Sequence, residues 1–250
     1  GGMSAAMTAA RRGFAVELWE KSDKLGGLLL AAGAPEFKQD VLKYVQYCIT
    51  QINKLGVVVR YNKEATAAEI AQANFDKVII ATGAQPVIPP IPGVENAKRA
   101  TDVLLDKAAA GEKVVIIGGG LVGCETALDL AYRGKEVTVL EIQPGILASV
   151  VEAKNNVLSL RDMIKESSVQ VIAGVQVKNV AIDSVTYEQE GQDITILSDT
   201  VVVAAGFTAL SPIGAELEEM GYEATVIGDA VQPGKIVDAV SGGYHAVRLL

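Results

Sequence analysis

The chain has 250 residues, half of them hydrophobic and 5% aromatic, enough for one large or two medium domains with full cores. Its formal net charge of −8 argues against a nucleic-acid backbone or an anionic membrane as partner. No apolar run approaches the ~20 residues that span a bilayer, no secretory signal is visible, and the two cysteines, Cys48 and Cys124, fit a reducing, cytoplasmic setting and are too few for an iron–sulfur or zinc site in the chain itself.

In chain order, Gly2 precedes an alanine-rich helix predicted over residues 3–12, followed by a strand over 14–19 that ends at Glu20. A polar turn from Lys21 to the pair Gly26-Gly27 leads to a helix over 36–55, in which Val41, Leu42, Tyr44, Val45, Cys48, Ile49 and Ile52 make one apolar face. A strand over 57–61, a short helix over 67–74 and a strand over 77–81 follow, the last ending at Ala81-Thr82-Gly83. Residues 85–93 hold four of the eight prolines and read as a stiff, extended connector.

Next come a strand over 113–117, a helix over 121–132, a strand over 136–140 and a helix over 151–166. Short alternating segments at 169–172, 176–182, 184–188 and 193–197, with a turn at Gln189-Glu-Gly-Gln192, predict a small antiparallel meander. A buried strand over 201–205 leaves through Gly206, and a strand ending in Gly228-Asp229 precedes a final helix over 236–250.

One unit occurs twice. The run Val114-Val-Ile-Ile117 ends in Gly118-x-Gly120-x-x-Gly123, and Glu141 follows 18 residues after the third glycine, just as Glu20 follows Gly2. Ala6 and Ala127, Arg12 and Arg133, Gly13 and Gly134, and Val16 and Val137 hold the same offsets. Thr82-Gly83 and Ala205-Gly206 close the two copies at nearly equal distances from their acids. A lone G-x-G-x-x-G is weak, but two copies in one frame are specific.

Each landmark has a physical meaning. Glycines between strand and helix let backbone approach a pyrophosphate, whose charge then sits on unpaired N–H groups at the positive end of the helix. A carboxylate ending the next strand accepts hydrogen bonds from an adenosine ribose and repels a 2′-phosphate. No Arg or Lys follows Glu141 in Ile142-Gln-Pro-Gly-Ile-Leu147, which favours NADH over NADPH. The first copy keeps its helix, strand and acid but lacks the strand before the turn and the first two glycines, and residue 1 is not methionine; the chain is therefore expected to be a piece of something longer.

These residues resemble the two-dinucleotide-binding-domain flavoproteins: the first glycine turn with Glu20, Lys24-Leu-Gly26-Gly27, Ala81-Thr82-Gly83, Gly118-x-Gly120-x-x-Gly123-x-Glu125 and Ile227-Gly228-Asp229. The resemblance covers the whole chain in order. Within that superfamily, the stretch from Gly26 to Pro35 with Lys38, the proline-rich connector, and Gly242-Gly-Tyr-His245-Ala are most similar to the C-terminal part of NADH:flavin oxidoreductases of the enoate reductase and dienoyl-CoA reductase type. The implied fold is α/β: two Rossmann-like domains, each three-layered around a central parallel sheet, with a small antiparallel meander. The NADH-binding domain, 99–206, is inserted in an FAD-binding domain made of 1–98 and 207–250.

By that resemblance Gly2, Glu20, Lys21, Gly26, Gly27, Ala81, Thr82, Gly83, Gly228 and Asp229 hold FAD. Gly118, Gly120, Leu121, Val122, Gly123, Glu125, Glu141 and Gly206 hold NADH, with Glu125 and Gly206 towards the nicotinamide. The implied activity is that of an electron-entry module that oxidises NADH and passes electrons from FAD to an FMN-binding barrel with a 4Fe–4S cluster, outside this chain, where an activated C=C bond is reduced. The cofactors carry the hydride chemistry, so no catalytic acid or base is nominated. A homo-oligomer is a further possible assembly. Two other readings keep the same glycine turns: a structural module that only binds ADP, and a self-contained NADH oxidase or ferredoxin reductase-like enzyme.

Bland roles compete at several positions. Cys124 reads as a buried small hydrophobe rather than a reactive thiol, and His245 as a surface or packing residue. Glu125 serves equally as a favourable charge near a helix N-terminus. Asp229 also suits a cap for the last helix.

Overall fold

A computed structural model describes residues 1–148, 150, 154–248 and 250. The contacts divide the chain into two compact units: unit 1 comprises residues 1–30, 40–85 and 207–250, and unit 2 comprises 31–39 and 86–206.

The chain begins with helix α1 (Gly2–Arg11), strand β1 (Glu17–Trp19), helices α2 (Leu28–Ala32) and α3 (Gln39–Lys54), strand β2 (Val58–Arg60), helix α4 (Ala67–Ala73) and strands β3 (Val78–Ile80) and β4 (Ala84–Pro86). The strand expected over 14–19 shrinks to three residues, because only Glu17–Trp19 meets the β2 ladder, in parallel register with Val58–Arg60. Thr66 starts α4 by accepting a hydrogen bond from the Glu69 N–H through its side chain, and Asn74 ends it in the left-handed region.

Unit 2 follows with β5 (Lys98–Arg99), α5 (Ala100–Leu104), β6 (Lys113–Ile117), α6 (Leu121–Tyr132), β7 (Glu136–Glu141), α7 (Lys154–Glu166), β8 (Gln170–Ala173), β9 (Gln176–Val180), β10 (Ser184–Gln189), β11 (Gln192–Leu197) and β12 (Thr200–Val203). The chain closes unit 1 with β13 (Phe207–Ala209), α8 (Pro212–Glu219), β14 (Ala224–Val226) and α9 (Ile236–Arg248). Of the helices expected over 151–166 and 236–250, residues 151–153 and Leu249 lie outside the described residues.

The sheet of unit 2 has the order β5-β12-β6-β7-β8, and every pair is parallel. Its strands are near-continuous apolar runs because both faces are covered. Val114, Ile116, Val137, Val139 and Val202 join one core cluster with Leu128, Leu130, Leu160 and Ile164 of α6 and α7. Val115, Ile117, Leu140, Val201 and Val203 join another with Val180, Val185 and Tyr187 of the antiparallel β11-β10-β9 meander. The period of two thus sends alternate residues to a helical layer and to a meander layer, giving three layers about the sheet. Each fully buried Leu, Ile or Val contributes about 1.5–3 kcal/mol of transfer free energy.

The hairpin turn is the one expected: Glu190 and Gly191, both at positive φ, lie between the paired residues Gln189 and Gln192. Residues 86–98 belong with unit 2, since Ile91, Val94 and Ala97 pack on the meander-side core. Residues 31–39 belong there too, since Phe37 packs on the helix-side core.

In unit 1, β1 and β2 form one parallel pair, and β3 and β14 another. Leu18 faces a cluster with Ala6, Met7, Cys48 and Ile52, whereas Trp19 faces Ile80, Ile70 and Leu217 on the other side. Helix α1 touches both β1 and β3. Helix α9 is fastened along α1 by hydrogen bonds from the Ser4 hydroxyl to Val240 O (2.8 Å) and from the Arg12 guanidinium to Val247 O (2.5 Å).

Candidate functional site

The glycine turn of unit 2 joins β6 to α6 at the end of the sheet where the neighbouring strands also stop. Gly118 has φ +109°, and a Cβ there would lie 2.5 Å from Ala204 O, so both conformation and space demand glycine. A Cβ on Gly123 would lie 1.9 Å from Gly118 O, which is how the first turn of α6 packs so tightly on the strand that feeds it. Gly120 differs: a Cβ there would meet nothing within 4 Å. The turn is closed beneath and open above, a cradle where a ligand phosphate can approach the N–H groups of Gly120, Leu121 and Val122.

Glu141 ends β7 beside this turn, buried to 8% exposure. One carboxylate oxygen accepts the Gly119 N–H and the other accepts the Gln143 N–H at 2.7 Å. Residues 142–147 fold back over the turn: the Leu147 N–H donates to Gly119 O at 2.8 Å, and Leu147 is buried with φ +59°. Sequence reasoning gave no sign of this strained leucine. The Cys124 thiol, fully buried, donates to Gly119 O at 3.3 Å. Burial first, then the nearby Glu141 and Glu125 charges, push its pKa up to about 12, so it is a neutral packing group at physiological pH.

Glu125 lies in α6 just past its first turn and pairs with Lys38 of unit 2 at 2.6 Å, with side chains 17% and 25% exposed. Lys38 is carried there by Phe37, which meets Tyr132 edge-on with ring centroids 6.1 Å apart. The sequence pattern singled out Lys38 without a role, because its partner lies 87 residues away. Gly206 follows β12 at the same end of the sheet, and its carbonyl accepts the Val87 N–H at 2.9 Å.

In unit 1 the structure brings Gly2 against Ala81: a Cβ on Gly2 would lie 3.2 Å from Ala81 Cβ and 3.8 Å from Leu18 of β1. A Cβ on Gly1 would lie 3.4 Å from Ile227, so the ends of β1, β3 and β14 converge on the start of α1. The Thr82 hydroxyl donates to Leu210 O, and Gly83 O accepts the Leu210 N–H at 2.9 Å. Glu20, half-buried, accepts from both the backbone N–H and the hydroxyl of Ser22 at 2.8 Å, and Lys21 beside it is exposed. Gly26 and Gly27 turn the chain into α2, and a Cβ on Gly26 would lie 2.9 Å from Leu30.

Gly228 packs against Ala239 of α9, and Asp229 accepts the Gly234 N–H at 3.2 Å. Asp229 therefore caps the loop before α9, while Asp238, accepting the Lys235 N–H at 2.9 Å, caps the helix itself. Trp19 is a core residue with a Lys63 ammonium 4.9 Å over its ring. His245 is exposed on α9 against Tyr244.

The sequence profile of the pyridine nucleotide-disulphide oxidoreductase family matches residues 1–231. The chain is 36% identical to the cinnamate reductase of Clostridium sporogenes over 99% of its own length and 37% of that protein's. It is 38% identical to the NADH oxidase of Thermoanaerobacter brockii over 98% of its own length and 38% of the relative's. Among solved structures, a 2-naphthoyl-CoA reductase in complex with 2-naphthoyl-CoA superposes with a TM-score of 0.91 at 33% identity, covering 98% of this chain and 37% of that one. The chain thus spans less than two fifths of the length of these relatives. The fold is the one that binds FAD and NAD(H), and the closed-below, open-above glycine turn of unit 2 fits a dinucleotide pyrophosphate. With its twice-repeated turn and acid matched from residue 1 to residue 231, the chain belongs to the pyridine nucleotide-disulphide oxidoreductase family.

Proposed function

We propose that the chain is the NADH-oxidising, FAD-carrying electron-entry module of a larger flavin oxidoreductase that reduces an activated C=C bond. The observation that carries this reading is the match of essentially the whole chain to under two fifths of reductases such as cinnamate reductase. In this reading unit 1 holds FAD and unit 2 holds NADH. When bound, the two cofactors supply hydride transfer from nicotinamide to flavin, with electrons passing onward to FMN through a 4Fe–4S cluster in an N-terminal barrel of the parent protein.

The chain's own residues bind, orient and exclude water. The N–H groups of Gly120, Leu121 and Val122 receive the NADH pyrophosphate, Glu141 faces the adenosine ribose, and Glu125, steadied by Lys38, and Gly206 line the nicotinamide end. In unit 1, Gly2 and Ala81 approach the FAD pyrophosphate at the start of α1, Glu20 and Lys21 lie at its ribose, and Asp229 after Gly228 faces the ribityl chain. Gly26, Gly27, Thr82 and Gly83 lie along the flavin. Two free, buried cysteines fit a cytoplasmic protein, and no helix among the described residues is long and apolar enough to cross a membrane.

The test is a flavin absorbance spectrum after adding FAD, followed by anaerobic NADH. Bound flavin that bleaches is the expected result. Nucleotide binding with a flavin that stays oxidised would replace this reading with that of a structural, nucleotide-holding module.

A further inference from the structure

The sequence shows no cation after Glu141, and NADH preference follows from that absence. Folding supplies a cation from elsewhere. Arg161 of α7 reaches back to the ribose-side loop, where its guanidinium donates to Ile146 O at 3.2 Å. The Ile146 side chain and the Glu141 carboxylate press on the same point: a Cβ on Gly119 would lie 2.8 Å from Ile146 Cγ2 and 3.0 Å from Glu141 Oε2. Arg161 is therefore attached to the residue that packs beside the ribose acid. Its charge is felt at Cys124 beneath the turn, where it opposes the effect of Glu141. Among the described residues no carboxylate pairs with Arg161, although the chain carries 30 acids to 22 bases.

We propose that Arg161 is a specificity-determining residue of the nicotinamide-dinucleotide site, which favours a phosphate on the adenosine ribose and is opposed in this chain by Glu141. Cofactor preference is then a balance between the Arg161 guanidinium, held on the Ile146 carbonyl, and the Glu141 carboxylate, packed with the Ile146 side chain at Gly119. A planar, five-donor guanidinium suits a phosphate ester, and a carboxylate facing the 2′ position excludes one. This rests on the reading of unit 2 as the NADH site. It goes further by naming the group that would receive a 2′-phosphate.

The experiment is calorimetric binding of NADH and NADPH to the full chain as wild type, Glu141→Gln, and Glu141→Gln combined with Arg161→Ala or Arg161→Lys. Glutamine at 141 removes the charge and keeps one oxygen acceptor, enough for the Gly119 N–H but not also for that of Gln143. The wild type is expected to prefer NADH. Glu141→Gln is expected to shift the NADPH-to-NADH preference by about tenfold or more. Adding Arg161→Ala should reverse most of that shift, whereas Arg161→Lys should keep a part of it that weakens with salt. A shift that survives Arg161→Ala, or no shift at all in Glu141→Gln, overturns the role of Arg161. Thermal melts of the variants separate loss of binding from loss of fold. Absence of NADH binding to the folded wild type would overturn the site reading and this proposal together.

Discussion

The Glu141 carboxylate accepts the N–H of Gly119 across the glycine turn, so the residue read as a ribose ligand is also what holds the turn in place. Its second oxygen holds Gln143, which makes the carboxylate a clamp between the end of β7 and the turn after β6. Removing it leaves two N–H groups without their partners. Hydrogen bonds to a charged group are worth about 1.5–3 kcal/mol each, so Glu141→Ala, which removes two, should lower stability by about 3–6 kcal/mol. Glu141→Gln, whose single oxygen accepts only one of the two N–H groups, should cost about half as much. Chemical denaturation of both variants followed by fluorescence measures this; alanine and glutamine variants as stable as the wild type would show that the clamp is not structural.

Two glycines of one turn should fail in different ways. A methyl group at Gly123 strikes the Gly118 carbonyl, which is backbone and cannot yield without moving strand or helix. Gly123→Ala is therefore expected to destabilise the fold by about 2 kcal/mol or more. A methyl group at Gly120 meets open space, and its φ of −74° suits any residue. Gly120→Ala should melt with the wild type yet bind NADH at least about tenfold more weakly, because the methyl occupies the approach of the pyrophosphate. Melting curves paired with NADH titrations decide the matter, and full affinity in Gly120→Ala would move the pyrophosphate elsewhere.

The glycine turn of unit 2 was legible because local chemistry fixes it. The strand at Lys113–Ile117 and the helix at Leu121–Tyr132 match their expected bounds, since an apolar run, three glycines and a helix start are all short-range signals. Helix α8 was missed because Pro212 and Gly214 disguise it, although Leu217 buries completely against β3 and β14. Helix α5 is short and lacks a side-chain cap, and it forms where Ala100, Val103 and Leu104 find a core. At the site itself, Glu141 carries a fixed offset from its glycine, whereas Lys38 and Arg161 arrive through tertiary packing. No spacing rule reaches them.

The Lys38–Glu125 pair is the best-enclosed ion pair near the expected nicotinamide end. Breaking it leaves Glu125 partly buried and without its cation, which costs more than losing an exposed pair. Lys38→Met should therefore slow flavin reduction by NADH several-fold while Lys38→Arg restores much of the rate, because only the charge must be supplied. Stopped-flow reduction of the FAD-loaded parent protein reads this. A rate unchanged in Lys38→Met would leave the pair a packing feature.

Cys124 tests the interior of the turn through pH. Burial raises its pKa to about 12 in the folded chain, against 9.0 for an ordinary thiol. Below pH 9 both states keep the proton, and the thiol contributes nothing to the pH dependence of stability. Between pH 9 and about 12 the unfolded chain releases the proton and the folded one retains it, so unfolding becomes easier as pH rises. The slope from this group is at most about 1.4 kcal/mol per pH unit. Cys124→Ala should remove that part of the alkaline decline. In the native chain a thiol reagent at pH 8 should label Cys124 at a small fraction of the rate seen in denaturant, since the neutral, enclosed thiol is a poor nucleophile. Rapid native labelling mapped to Cys124 by mass spectrometry would show that the turn opens and that the thiol is not the enclosed packing group described above.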